Sequence, residues 1–189
     1  KELWCTIMSN RCYNKIIVIG DEYVLDYLEN IKMDFETIHP VPKALRNMEN
    51  NEKAYKWMNA NWGTHRLYDY MEMSRVSDTL LIGRIRTAWS PSIELLQYTT
   101  SVFDVEIILN YYELSNYIGS CKFKDGKMIY SQYVEKLYYT NEDANVGAKV
   151  RNKKNKEIRE LINKDKELVK NTLISNNCEE YLYLVEHYI

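Results

Sequence analysis

Thr87-Ala88-Trp89-Ser90-Pro91, taken with Asn61-Trp62-Gly63-Thr64 upstream, decides how this chain folds. Each stretch puts a tryptophan beside residues that set backbone geometry. Ser90 is a natural helix N-cap, because its hydroxyl can accept from an orphan amide of the first turn. Pro91 then falls at the first helical position, where its missing N–H is harmless and its φ is already helical. Gly63 can take a positive φ directly after a bulky aromatic. Both motifs mark fixed chain reversals that carry a large apolar side chain. Neither is a catalytic signature.

Upstream of these motifs, residues 14–19 predict a strand, since Ile16-Ile17-Val18-Ile19 is a β-branched run too short for a helix. Gly20 ends it, and Asp21 can cap a helix directly after it. Val24, Tyr27, Leu28 and Ile31 recur at helical spacing and form one apolar face. Residues 33–65 are irregular, with room for a short helix that turns Ala54, Trp57 and Met58 inward. Long insertions of this kind carry function or flexibility.

Downstream, residues 80–88 predict a second strand, and the Ser90-Pro91 cap starts a second helix with Ile93, Leu96 and Gln97 on one face. Residues 102–112 and 117–123 predict further strands. Asp125-Gly126 is the pair typical of a type I′ hairpin turn. Residues 128–137 either return as a strand or begin a helix. Two helices on one face of a mainly antiparallel sheet make an α+β fold, for which the ferredoxin-like topology is the economical choice.

After Tyr139 the composition shifts. Residues 140–156 predict a polar, basic linker, and residues 157–189 a helical hairpin extension. In the last helix Asn177 would be the cap, with Glu180 completing a capping box. Cys178, Tyr181, Leu182, Val185 and Tyr188 would form its apolar stripe.

Composition narrows the function. A chain of 189 residues with net charge −2 buries a real core and has no global field favouring nucleic acid or acidic membrane. No apolar run approaches the ~20 residues that span a bilayer, and no secretory segment opens the chain. Cys5, Cys12, Cys121 and Cys178 form no C-x-x-C pair, and His39, His65 and His187 lie at no ligand spacing from them. Reduced thiols in an intracellular protein are the expectation, with neither metal nor cofactor. The abundance of Asn, Lys, Ile and Tyr points to an A/T-rich genome.

Met8-Ser9-Asn10-Arg11-Cys12-Tyr13-Asn14-Lys15, followed by the β-branched strand and Gly20, resembles the opening of the YubB-like ferredoxin-like domain family. Asp34-Phe35 with Ile38, Pro40 and Pro42, then the two tryptophan motifs, look like that family's next landmarks in order. Tyr112, Gly119 and Gly126 fall where its closing sheet would be. Arg11 stands where the family usually has tryptophan, and His65 where it usually has lysine. The resemblance covers residues 8–133 and implies a ferredoxin-like domain over 8–139. It also implies a home on phages, plasmids or large DNA viruses, and it supplies no activity or catalytic residue. The four cysteines form no tight thiolate cluster that could ligate iron–sulfur.

The surfaces that can carry function are then few. Trp62, Gly63, Thr64, Trp89, Ser90 and Pro91 define the fold, and both indoles either plug the core or stack a ligand ring. His65, Arg84 and Arg86 could converge near the Trp-Ser-Pro turn as an anion site. Lys149, Arg151, Lys153, Lys154 and Lys156 either clamp phosphates or simply solvate a linker. Tyr181, Leu182, Val185 and Tyr188 could dock a partner. No nucleophile–base pair is spaced for catalysis, and His39 reads as structural. The expectation is a non-enzymatic binding or assembly module in host cytoplasm or virion, with a protein partner: itself, a virion component or a host protein. The alternative is a nucleic-acid-binding accessory that uses the sheet and the basic segment.

Overall fold

Ile16-Ile17-Val18-Ile19 is buried along its whole length, which requires packing on both faces of the strand that contains it. The computed structural model describes residues 10–46, 52–65, 67, 72–113, 117–135, 144–182 and 185, the side chains of 144–153 excepted. Chain order is β1 (Arg11–Gly20), α1 (Glu22–Asn30), α2 (Phe35–Ile38), α3 (Lys43–Arg46), α4 (Glu52–Trp62), β2 (Glu72–Ser77) and β3 (Leu80–Ala88). Next come α5 (Ile93–Val102), β4 (Val105–Glu113), β5 (Tyr117–Lys124), β6 (Lys127–Glu135), α6 (Ala144–Ser175) and a 3-10 turn at Glu179–Tyr181.

The strands form one six-stranded sheet in the order β2-β3-β1-β4-β5-β6, with every neighbouring pair antiparallel. Its first part, β1-α1-β2-β3-α5-β4, is the split βαβ pattern of the ferredoxin-like topology, and β5 and β6 extend it past β4. Asp125 and Gly126 both have positive φ, as a type I′ turn between β5 and β6 requires. β4 begins at Val105 rather than at Val102, which is the last residue of α5. No periodicity along the chain announces β2. Its polar run Glu72-Met73-Ser74-Arg75 suits an edge strand with no second neighbour among the described residues, and Arg75 ties it to Asp26 of α1 at 2.8 Å.

Alternate residues of the sheet serve two cores. Cys12, Ile16 and Val18 of β1 join Leu81, Ile85, Ile107 and Leu109 against Leu25, Leu28, Leu95 and Leu96 of α1 and α5. On the opposite face Ile17, Ile19, Leu80 and Ile108 meet Val169, Leu173, Cys178 and Val185. Glu106 on that face bridges to Lys122 at 2.9 Å and also to Lys124.

The second core corrects the expected linker and hairpin. From Ala144 onward the segment expected as linker is helix, and it runs without a break into the first part of the expected hairpin as one 32-residue helix, α6, followed by a 3-10 turn. Lys, Glu and Leu are strong helix formers, and Lys154 pairs with Glu157 at 2.9 Å and Lys156 with Glu160 at 3.8 Å along the helix. Asn177 is not the cap of a last helix. It takes a φ of +54° just past α6, with Cys178 N–H donating to Leu173 O at 2.8 Å and Asn177 N–H to Ile174 O at 3.1 Å. That is a Schellman closure, and it turns the tail back onto the sheet. The stripe expected to dock a partner is folded against its own domain at Cys178 and Val185, with Tyr181 and Leu182 partly buried beside them. Tyr188 lies outside the described residues.

Asp165 of α6 is 2 % exposed and accepts from Gln132 Nε2 at 2.6 Å and from the Ser120 hydroxyl. Burial raises its carboxyl above the ordinary value, although both donors pull the other way. A folded pKa above the unfolded one means that stability is fullest below the unfolded value. It declines as pH rises through the folded value. Asp165→Asn keeps an Oδ1 acceptor and removes the buried charge. Thermal unfolding should therefore show a gain for this variant at neutral pH that shrinks at mildly acidic pH. A larger gain in acid would reverse the assignment.

Candidate nucleic-acid interface

The two tryptophan motifs are built against each other. The Ser90 hydroxyl donates to the Gly63 carbonyl, Thr64 Oγ1 to Ala88 O at 3.1 Å, and Thr87 Oγ1 to Ser90 O at 2.6 Å. Ser90 is thus spent on fastening the motifs, and it does not cap α5. The N-cap position belongs to Ser92, whose side chain makes no cap bond, and the helix begins at Ile93, so Pro91 precedes it. Gly63 has the expected positive φ, +80°.

The indoles part company. Trp62 is 5 % exposed, donates from Nε1 to His39 O at 2.8 Å and packs edge-on against Phe35, so it plugs the core. Trp89 is 46 % exposed at a φ of +66°. Its amide donates to Asn10 O at 2.9 Å, and its carbonyl accepts from the Tyr117 hydroxyl. Asn61 Nδ2 donates to Trp57 O at 2.8 Å, which leaves its Oδ1 to accept from His39 Nε2 at 3.2 Å. The imidazole lies between Trp57 and Tyr98.

The register of β1 with its two neighbours assembles a different site. Tyr13 stands opposite Arg86 on β3 and Tyr112 on β4. Lys15 stands opposite Arg84 and Asn110. These residues share the sheet face that carries the second core, beyond the part that core covers. They wall a groove of about 480 Å³, with Glu72 also on its wall. The Tyr13 and Tyr112 rings stack at 4.9 Å and 9° into a flat platform. Burial, then the charge of Arg84, lowers the Lys15 pKa. An anion seated there would relieve that like-charge repulsion. Under α6 the face continues through Asn110, Tyr112 and Ile118 to Ile162 and Asp165. Both carboxamide atoms of Asn110 lack a hydrogen-bond partner among the described residues, a feature that buried polar groups rarely show.

Of the expected anion site, Arg84 and Arg86 converge, but on a sheet face with Lys15 rather than at a helix N-terminus. His65 is not on the groove wall and packs against Tyr55. Lys149, Arg151, Lys153, Lys154 and Lys156 all fall on α6, and the side chains of the first three lie outside the described residues. Cys12, Cys121 and Cys178 are free and buried, and Cys5 lies outside the described residues. Burial pushes the Cys12 thiol up to about 12, which leaves it inert as a nucleophile at neutral pH. Among the described residues no group of three His, Cys, Asp or Glu could hold a metal ion, and no helix is long and apolar enough to cross a membrane.

Residues 67–155, a little under half of the chain, match the family model described as the ferredoxin-like domain in Api92-like protein. The fold is ferredoxin-like. The matched stretch of this ferredoxin-like unit holds Arg84, Arg86, Trp89 and Tyr112. The crystal structure of the protein api92 from Yersinia pseudotuberculosis is similar at 18% identity and a TM-score of 0.43, over 56% of this chain and 41% of that one. The chain thus covers well under half of that protein's length. No curated protein matches the chain.

Proposed function

We propose that this is a non-enzymatic binding module that holds nucleic acid on the part of its second sheet face that lies beyond the second core. One observation carries the reading: Lys15, Arg84 and Arg86 are gathered by strand register beside the stacked Tyr13–Tyr112 platform. Cations that meet phosphate and rings that meet bases are the two components of sequence-tolerant nucleic-acid binding. Lys154 and Lys156 on α6 lie outside the groove and are each paired with a carboxylate, Glu157 and Glu160, so they are not counted in this reading. The YubB-like assignment, with its viral or mobile-element home and a place in host cytoplasm or virion, belongs to the same proposal and rests on the motifs quoted above.

Binding of labelled oligonucleotides over a salt series, followed by fluorescence anisotropy, tests it. Affinity should fall steeply as salt rises. Arg84→Ala with Arg86→Ala should weaken binding about tenfold or more and flatten the salt slope by about two contacts' worth. Absence of binding at low salt would remove the reading.

A protein partner is the second reading. Met128, Ile129 and Tyr133 of the edge strand β6 are 45 %, 54 % and 63 % exposed, and that favours it. Self-association lost on Ile129→Lys, measured by light scattering, would support that use.

A further inference from the structure

We propose that Trp89 is a base-stacking residue and that the ligand of the groove is a single-stranded nucleic acid. This deepens the reading above and rests on it. The backbone carries the first observation. Trp89 sits at a φ of +66°, a region that costs a bulky L residue about 1–3 kcal/mol and that glycine enters freely. That conformation is held from both sides, by the amide bond to Asn10 and the carbonyl bond from Tyr117. A turn needing only this geometry is served best by glycine. A residue needing only apolar area would be buried, as Trp62 is. Trp89 does neither: the chain carries the strain and leaves the indole 46 % exposed.

Position then supplies the ligand. Trp89 follows Ala88, the partner of Arg11, and Arg86, the partner of Tyr13. The Tyr117 that holds it pairs with Glu113, the residue after Tyr112. The indole therefore stands at the same end of the sheet as the Tyr13–Tyr112 platform. A chain lying along Lys15, Arg84 and Arg86 would reach that platform and then Trp89. Only an unpaired base offers its face to such rings, because a duplex keeps its bases stacked on one another.

Trp89→Gly separates this from a structural role. Glycine relieves the φ strain, so the variant should melt at or above the parent temperature. It should nonetheless bind a labelled single-stranded 12-mer about tenfold or more weaker, with binding of inorganic polyphosphate unchanged. Trp89→Phe should keep most of the affinity. The unmodified protein should bind the single strand in preference to the same sequence as a duplex. Equal affinity of Trp89→Gly and parent for the single strand would overturn the role of Trp89, and duplex preference would overturn the ligand class. If neither oligonucleotide nor polyphosphate binds, the groove reading falls and takes this inference with it. If polyphosphate binds and Trp89→Gly has no effect on the single strand, only the inference falls.

Discussion

Gly63→Ala is expected to lower stability by about 2–4 kcal/mol, from left-handed strain and overpacking together. At a φ of +80° an alanine is strained whatever space surrounds it. A Cβ there would also stand 2.6 Å from the Pro91 carbonyl oxygen and 3.1 Å from the Ile93 amide nitrogen, and closer still to a Glu94 carboxylate oxygen. The carboxylate can swing away, but the two backbone atoms cannot. Moving them disturbs the Ser90–Gly63 bond and the start of α5, so the damage spreads across the junction of the tryptophan motifs. For a chain of this size the melting temperature should drop by roughly 5–15 °C. A scanning calorimetry trace within a degree or two of the parent would show that the junction does not hold the fold.

Ending the chain after Ser175 should be at least as damaging. That truncation removes Cys178 and Val185, 1 % and 7 % exposed, with the partly buried Tyr181 and Leu182. It also deletes the Schellman closure that turns the tail back onto the sheet. Full burial of an aliphatic side chain is worth about 1.5–3 kcal/mol, so the loss should reach about 3–5 kcal/mol of a total near 5–15 kcal/mol. Ile17, Ile19 and Leu80 would be left with part of their cover gone. The truncated protein should melt roughly 10 °C lower and scatter more light on standing. An unchanged melting temperature with lost association would return the tail to the partner-docking role that its apolar stripe suggests.

The parts of the molecule legible in the sequence are those governed by local chemistry. The β-branched run of β1, the Asp125-Gly126 turn and the positive φ at Gly63 each follow from residues within a few positions of one another. α6 was not legible as one helix, because its basic and asparagine-rich first half reads as solvated chain. Its apolar residues acquire meaning only against Ile17 and Ile108 on the sheet's far face. The Asn177–Glu180 pattern fits an N-cap as well as it fits the far side of a Schellman turn, and only the tertiary contact of Cys178 separates the two. β2 lacked a signal because an edge strand needs little apolar area.

The candidate site was half legible for the same reason. Arg84 and Arg86 stood out as alternate cations on one strand. Tyr13, Lys15 and Tyr112 join them only through the pairing of β1 with β3 and β4. No spacing along the chain encodes that register. What the sequence could have offered was the alternation Tyr13-x-Lys15 at the open end of an otherwise apolar strand, next to the buried run that sets its register.

Chemical-shift mapping of the isotope-labelled full chain, titrated with a short single-stranded oligonucleotide at low salt, tests the central claim most directly. The largest perturbations should fall on Tyr13, Lys15, Arg84, Arg86 and Tyr112, which share one sheet face, and on Trp89 at the same end of the sheet. Perturbations confined to α4 and α5, around the cavity beside His39 and Glu94, or none at saturating oligonucleotide, would contradict it.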